Sequence, residues 1–188
     1  MKEELRQQIM SMRTALDPGE VIKRSLRVKY HLVSTQEYQA AQIILFYVSY
    51  DNEVNTHMMI QACFKEGKRV VVPVSNVHET TLTLSELRSW DDLAPGAYSI
   101  LEPRTESVRE LPASSIDLMI IPGVVFDLEG NRIGHGMGYY DRLLKTVSQV
   151  TRFGLAFEFQ IFERIPAEKH DIRMHKIITE DRIINCRL

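Results

Sequence analysis

The sequence predicts a three-layer α/β fold of the Rossmann-like kind, a mostly parallel central sheet with helices on both faces. Three observations predict it. Continuous apolar runs at 42–49, 69–73 and 116–122 read as strands buried on both faces. Segments of helical period lie between them, as βαβ units require. No repeat, low-complexity tract or linker interrupts the 188 residues, so a single domain spanning 1–188 is expected.

The elements follow in order. Leu5, Ile9, Met12 and Leu16 mark one apolar stripe of a first helix over 2–16, with Lys2, Arg6 and Arg13 off the stripe. Asp17-Pro18-Gly19-Glu20 then supplies a cap, a first-turn proline and a capping-box glutamate for a second helix running to about Leu32. Residues 42–49 form the first strand, and Thr56 caps a third helix that ends at Gly67. Arg69 to Pro73 is the next buried strand. The alternation over 80–87 suggests an edge strand with one wet face. Residues 88–114 are rich in turn formers and wrap the surface. Strand 116–122, a glycine-rich loop, a helix over 139–148 and strands at 153–157 and 176–179 complete the chain. Phe46, Phe153 and Phe157 read as core. Ligands in such sheets collect beyond the carboxyl ends of the strands, here at 50–55, 122–138 and 158–171.

Composition narrows the function. A net charge of -2 supplies no basic field for nucleic acid or an anionic membrane surface. No apolar run approaches the roughly 20 residues of a membrane span. A chain that starts Met1-Lys2-Glu3-Glu4 directly in a helix, with no signal peptide, is expected in the cytoplasm. Cys63 and Cys186 form no CxxC pair and read as reduced thiols, and the histidines show no HxxxH or HxH pattern for zinc. A monomer acting on small molecules is expected.

The informative segment runs from Pro122 to Arg142. Gly134, Gly136 and Gly138 alternate just before a helix, which lets backbone N–H groups face a ligand, and the helix start adds a positive dipole end. Together these suit a phosphate. The segment lacks the terminal Lys-Ser/Thr of a Walker loop. Glu53, past the end of a central strand, can accept paired N–H groups, while Val48 and Tyr50 line the same end. Asp127 and Glu102 read as turn residues. These features alone leave open a non-catalytic nucleotide-binding protein and another nucleotide-dependent kinase or ligase.

The run Pro122-Gly123-x-x-Phe126-Asp127, then Gly130-x-Arg132-x-Gly134-x-Gly136-x-Gly138-Tyr139-Tyr140-Asp141, resembles the signature of the 5-formyltetrahydrofolate cyclo-ligase (5,10-methenyltetrahydrofolate synthetase) family. The resemblance extends to Lys2 and Arg6, to Asn52-Glu53-Val54-Asn55-Thr56, to Gly96 with Ile100-Leu101-Glu102-Pro103, and to Phe157-Glu158-Phe159-Gln160 and His170-Asp171. It implies conversion of 5-formyltetrahydrofolate and ATP to 5,10-methenyltetrahydrofolate, ADP and phosphate, with Mg²⁺. On that resemblance ATP would contact Lys2, Arg6, Arg132, Ile133, Gly134, His135, Gly136, Met137, Gly138, Tyr139 and Tyr140, with Arg13 a further candidate. The folate would contact Val48, Glu53, His135, Gly136, Met137, Gly138 and Tyr139. Asp141 and Asp171 would hold the metal, and Tyr139 and Arg132 would act in catalysis. Met137 departs from the family, whose members often carry Lys or Gly there, and His135 stands where Arg is frequent. Phosphate charge then falls to Lys2, Arg6, Arg132 and Mg²⁺.

Overall fold

The computed structural model describes residues 1–168 and 171–187. Helix α1 (Lys2–Thr14) buries Ile9 and Arg13 and leaves Met12 exposed, so the inward face departs from the expected stripe by taking in a charged residue. Asp17 caps α2 (Pro18–Val33) as read, its Oδ1 accepting from the N–H groups of Gly19 at 2.9 Å and Glu20 at 3.1 Å. Glu20 closes no capping box. Its carboxylate accepts instead from Arg24 at 2.8 Å, one turn on, where an ion pair is available.

A short α3 (Gln36–Ala40) leads to β1 (Ile43–Leu45), α4 (His57–Lys65), β2 (Arg69–Asn76) and the antiparallel β3 (Thr81–Leu87). Strand β1 is shorter than the apolar run because, after a last bond from the Phe46 N–H to the Val71 carbonyl, residues 47–50 leave the ladder and continue toward the site. Thr56 does not cap α4 with its side chain. Its hydroxyl donates to the Tyr47 carbonyl at 2.7 Å and accepts from the Ser49 N–H at 3.0 Å, a stronger claim inside the core than a helix end.

Segment 88–114 does more than wrap the surface, since it pairs β4 (Leu93–Pro95) with β5 (Leu101–Pro103). Then come β6 (Leu118–Ile121), β7 (Val125–Asp127), β8 (Arg132–Ile133), α5 (Tyr139–Thr146), β9 (Thr151–Leu155), β10 (Ile161–Phe162), β11 (Lys176–Ile178) and β12 (Ile183–Asn185). Helix α5 stops two residues before the expected end and β9 starts two residues early.

The central sheet has seven strands in the order β12-β11-β9-β6-β1-β2-β3, parallel from β11 to β2, with an antiparallel strand at each edge. Its strands split their residues between two cores. Ile44, Phe46, Val70, Val72, Leu118 and Ile120 meet α2 and α4 through Val28, Leu32, Met59 and Ile60. Leu45, Val71, Met119, Ile121 and Ile177 meet Leu143 and Leu144 of α5 and Phe126 of β7. Each such side chain contributes roughly 1.5–3 kcal/mol of burial, as an upper estimate. A second sheet, β10-β7-β8, was not anticipated, because its short strands lie inside the glycine-rich segment and beyond. Helix α1 covers this sheet, with Ile9 against Val124, Val125 and Ile133. Among the described residues no helix is long and apolar enough to cross a membrane.

Candidate active site

A cavity of about 340 Å³ opens where the parallel strands end. Tyr47, Val48 and Tyr50 reach it beyond β1, Pro73 and Ser75 from the far half of β2, and Pro122 just after β6. The structure brings the residues singled out in the sequence to this one place. Lys2, Arg6, Val48, Glu53, the whole run Arg132, Ile133, Gly134, His135, Gly136, Met137, Gly138, Tyr139, Tyr140 and Asp141, and Asp171 all line it. Arg13 does not; it lies behind Glu53, so its candidacy as an ATP contact fails on position. His170 lies outside the described residues.

The glycine loop owes its course to three constraints. Gly136 and Gly138 have φ of 99° and 76°, a region that favours glycine, and Gly138 is the residue from which α5 starts. At Gly134 a Cβ would stand 2.7 Å from the Arg132 guanidinium, which would have to move aside. Below the loop, buried Asp127 is indeed a turn organiser. Its carboxylate accepts from the N–H groups of Glu129, Asn131 and Ile165 and from the Asn131 amide. Gln160 holds the loop from the other side, donating to the Gly123 and Val124 carbonyls at 3.2 and 2.9 Å. Among the described residues, the backbone N–H groups from Gly134 to Gly138 donate to no protein acceptor, which leaves them for a ligand.

The loop links two chemically different walls. On one side Arg6 donates from Nε to the Gly134 carbonyl at 2.9 Å, and Arg132 pairs with Asp141 while donating to the Pro122 carbonyl. Lys2 stands 3.7 Å from Asp171 and 3.4 Å from Glu168. On the other side His135 lies 3.3 Å from Oε1 of Glu53, with its ring 5.9 Å from that of Tyr50. Glu53 is buried, and its Oε2 accepts from the Tyr50 N–H at 3.2 Å. The phenols around it, Tyr47, Tyr50 and Tyr140, are pushed up in pKa first by burial and then by the Glu53 charge, so they stay neutral donors. The Tyr139 hydroxyl is sealed from solvent without a partner of good geometry, and the Tyr98 phenol beside it raises its pKa. Met137 is half exposed at the mouth.

Sequence reasoning missed the apolar lining from Leu82, Tyr98, Ile100 and Leu101, and it misread Glu102. Glu102 lies on β5, and its carboxylate accepts from the Ser75 N–H at 3.0 Å. Gly96 packs so tightly there that a Cβ would fall 2.6 Å from Glu102 Oε2. The Gly96-to-Pro103 stretch quoted for the family resemblance was the one available signal. Nothing in the local sequence announces that Tyr98 takes a φ of 56° over the cavity.

The chain was compared with known proteins. The model of the 5-formyltetrahydrofolate cyclo-ligase family matches residues 1–180. The mouse protein named 5-formyltetrahydrofolate cyclo-ligase is 31% identical, over 96% of this chain and 94% of its own. That of Haemophilus influenzae is 30% identical, over 94% and 96%. The NMR structure of Aquifex aeolicus 5,10-methenyltetrahydrofolate synthetase superposes with a TM-score of 0.87 at 33% identity, covering 100% of this chain and 93% of its own. A family match along nearly the whole chain, together with a shared fold, places this protein in the 5-formyltetrahydrofolate cyclo-ligase family of enzymes.

Proposed function

We propose that the protein closes 5-formyltetrahydrofolate to 5,10-methenyltetrahydrofolate while ATP becomes ADP and phosphate. The observation that carries this reading is the glycine loop itself. Its free N–H groups and the cations Lys2, Arg6 and Arg132 suit a triphosphate, while its His135 end meets a buried carboxylate suited to a pterin. Both sets of groups line one cavity, as phosphoryl transfer between the two ligands demands.

The chemistry needs no protein nucleophile. A formyl amide is a poor electrophile, and its oxygen is a poor leaving group. Attack of the formyl oxygen on the γ-phosphorus releases ADP and turns that oxygen into a phosphate ester. The neighbouring folate amine then attacks the activated carbon, loses its proton, and phosphate departs. The protein's share is placement and charge. Glu53 accepts the N–H groups of the pterin, and Val48 packs beside it. Arg132 neutralises the phosphate being transferred. Tyr139 closes over the formyl group. Tyr140 closes the cavity wall, and Met137 shields it from water.

The donor set fits magnesium, since Asp141 and Asp171 bring hard carboxylate oxygens to the cavity that carries the phosphate cradle. Among the described residues no three His, Cys, Asp or Glu side chains gather into a metal group, so these two would share the ion with phosphate oxygens and water. When bound, the ion supplies charge neutralisation on the phosphates. With this reading goes a single domain acting as a monomer in the cytoplasm.

The test follows methenyl-product absorbance with purified protein, 5-formyltetrahydrofolate and Mg·ATP. Signal that disappears without ATP or without Mg²⁺ is expected. Stoichiometric folate binding with no product at high enzyme concentration would mark a binding protein and overturn the catalytic reading.

A further inference from the structure

We infer that Arg13 is a positioning residue that acts through Glu53, holding the pterin-facing carboxylate from behind; this rests on the folate reading of the cavity. Glu53 is the partition between two spaces. It lines the ligand cavity on one side and, on the other, a crevice too small for a water molecule, where Arg13 stands with Tyr47, Gly123 and Gln160. The Arg13 guanidinium lies 3.8 Å from Glu53 Oε1, and both side chains are 6% exposed.

The pair is unusual in being incomplete. At 3.8 Å it is an ion pair without a hydrogen bond, and Arg13 Nε is buried with no partner. Burying such a charge costs several kcal/mol unless it is well paired, and a methionine or leucine would fill the same space at less expense. The arginine is therefore not explained by packing. Its cost is explained if the charge serves the carboxylate in front of it. Arg13 meets Glu53 Oε1 from behind with a guanidinium, while His135 faces the same oxygen from the cavity side.

Helix α1 fixes this arrangement at its far end. The Asn52 amide donates to the Arg13 and Leu16 carbonyls at 2.8 and 2.9 Å, which ties the loop bearing Glu53 to the end of the helix. The near end of the same helix reaches the glycine loop through Arg6. One rigid element thus sets the carboxylate and the cradle relative to each other. Ligand N–H groups can then bond to a Glu53 whose charge and orientation are settled beforehand, with His135 the removable neighbour.

The experiment measures product formation with folate and ATP varied separately, for wild type, Arg13→Met, Arg13→Lys, Glu53→Gln and the Arg13→Met/Glu53→Gln double variant, with thermal melts of each. Arg13→Met is expected to raise the folate KM roughly tenfold or more, because it strands a buried charge, and to leave the ATP KM within about twofold. Arg13→Lys recovers most of the loss. In the Glu53→Gln background Arg13→Met adds less than about twofold, the non-additivity expected of residues acting as one. Equal rises in both KM values, or full multiplicative effects in the double variant, overturn the role. Should Arg13→Met not fold, an Arg13→Lys variant that folds yet loses folate as severely as Glu53→Gln overturns it as well. Absence of product from wild type overturns the folate reading itself, and this inference with it. Product with an unchanged folate KM in Arg13→Met removes the inference alone.

Discussion

Two arginines are equally buried at opposite ends of the central sheet, and they are held in opposite ways. Arg152, at the start of β9, is 6% exposed and donates to three carbonyls, those of Arg173 and Ser148 at 2.6 Å and Val150 at 3.1 Å. Burial lowers its pKa, its Nε and Nη1 are spent on the chain, and among the described residues it pairs with no carboxylate. Arg13, 5% exposed near the carboxyl ends of the strands, has an unpaired nitrogen and faces Glu53 across 3.8 Å. A satisfied buried cation is a staple. One left incomplete beside a cavity is a component of a site, tolerated because its surroundings are arranged for a ligand rather than for folding alone.

That contrast can be broken by experiment. The largest effect is expected at the site end. On the proposed reading, Asp141→Ala should lower product formation on the order of 100-fold, since it removes a carboxylate that would hold the magnesium ion. Asp141 is 61% exposed but its partner Arg132 only 6%, so the loss strands a buried cation and should also lower unfolding free energy by about 1–3 kcal/mol, with rates compared per folded molecule. Urea melts beside initial rates check both halves. At the opposite end stability alone should fall. Arg152→Met should cost about 2–3 kcal/mol by stranding buried carbonyls, with kcat per folded molecule unchanged; a variant that is stable but inactive breaks the comparison. Neutral bonds at the site end should behave as ordinary scaffolding. Thr56→Val removes the hydroxyl between Tyr47 and Ser49 and should cost about 1–2 kcal/mol while leaving folate KM near wild type.

The smallest effect is a pH dependence beside Arg152. Burial first, then the Arg152 charge, hold the His175 pKa below the ordinary histidine value, and its Nδ1 accepts from the Arg152 N–H at 3.2 Å. The unfolded chain takes up this proton more readily than the folded one. The stability is therefore complete above the unfolded-state pKa of about 6.5 and declines as pH falls through it toward the lower folded value. His175→Asn keeps an acceptor without titrating, so melts across a pH series should lose part of that decline. An unchanged slope would remove His175 as its source.

The sequence was legible where the signal was local. Apolar runs marked the strands β1, β2 and β6, Asp17 marked the start of α2, and the alternate glycines marked a backbone able to approach a ligand. It failed where the deciding partner is distant in sequence. Thr56 looked like a helix cap, but the carbonyl that claims it belongs to Tyr47. Arg13, off the apolar stripe, stood as a further candidate for ATP, because helical period alone cannot tell which charged neighbour will be drawn under the packed face. Tyr98 and Leu101 looked like surface turn, because only the docking of β5 near β2 carries that segment over the cavity.

By itself the sequence determined the layered α/β class, the family likeness and which residues deserved notice, since these rest on periodicity and on motifs within a few residues of one another. Only the tertiary structure decided that Lys2, Glu53, the glycine loop and Asp171 share one cavity, that α1 leaves the main sheet to cover a second one, and that Glu53 has a cation at its back. The physical reason is that burial and charge pairing are properties of surroundings. Those surroundings are assembled by contacts between residues far apart in the chain, which no local pattern encodes.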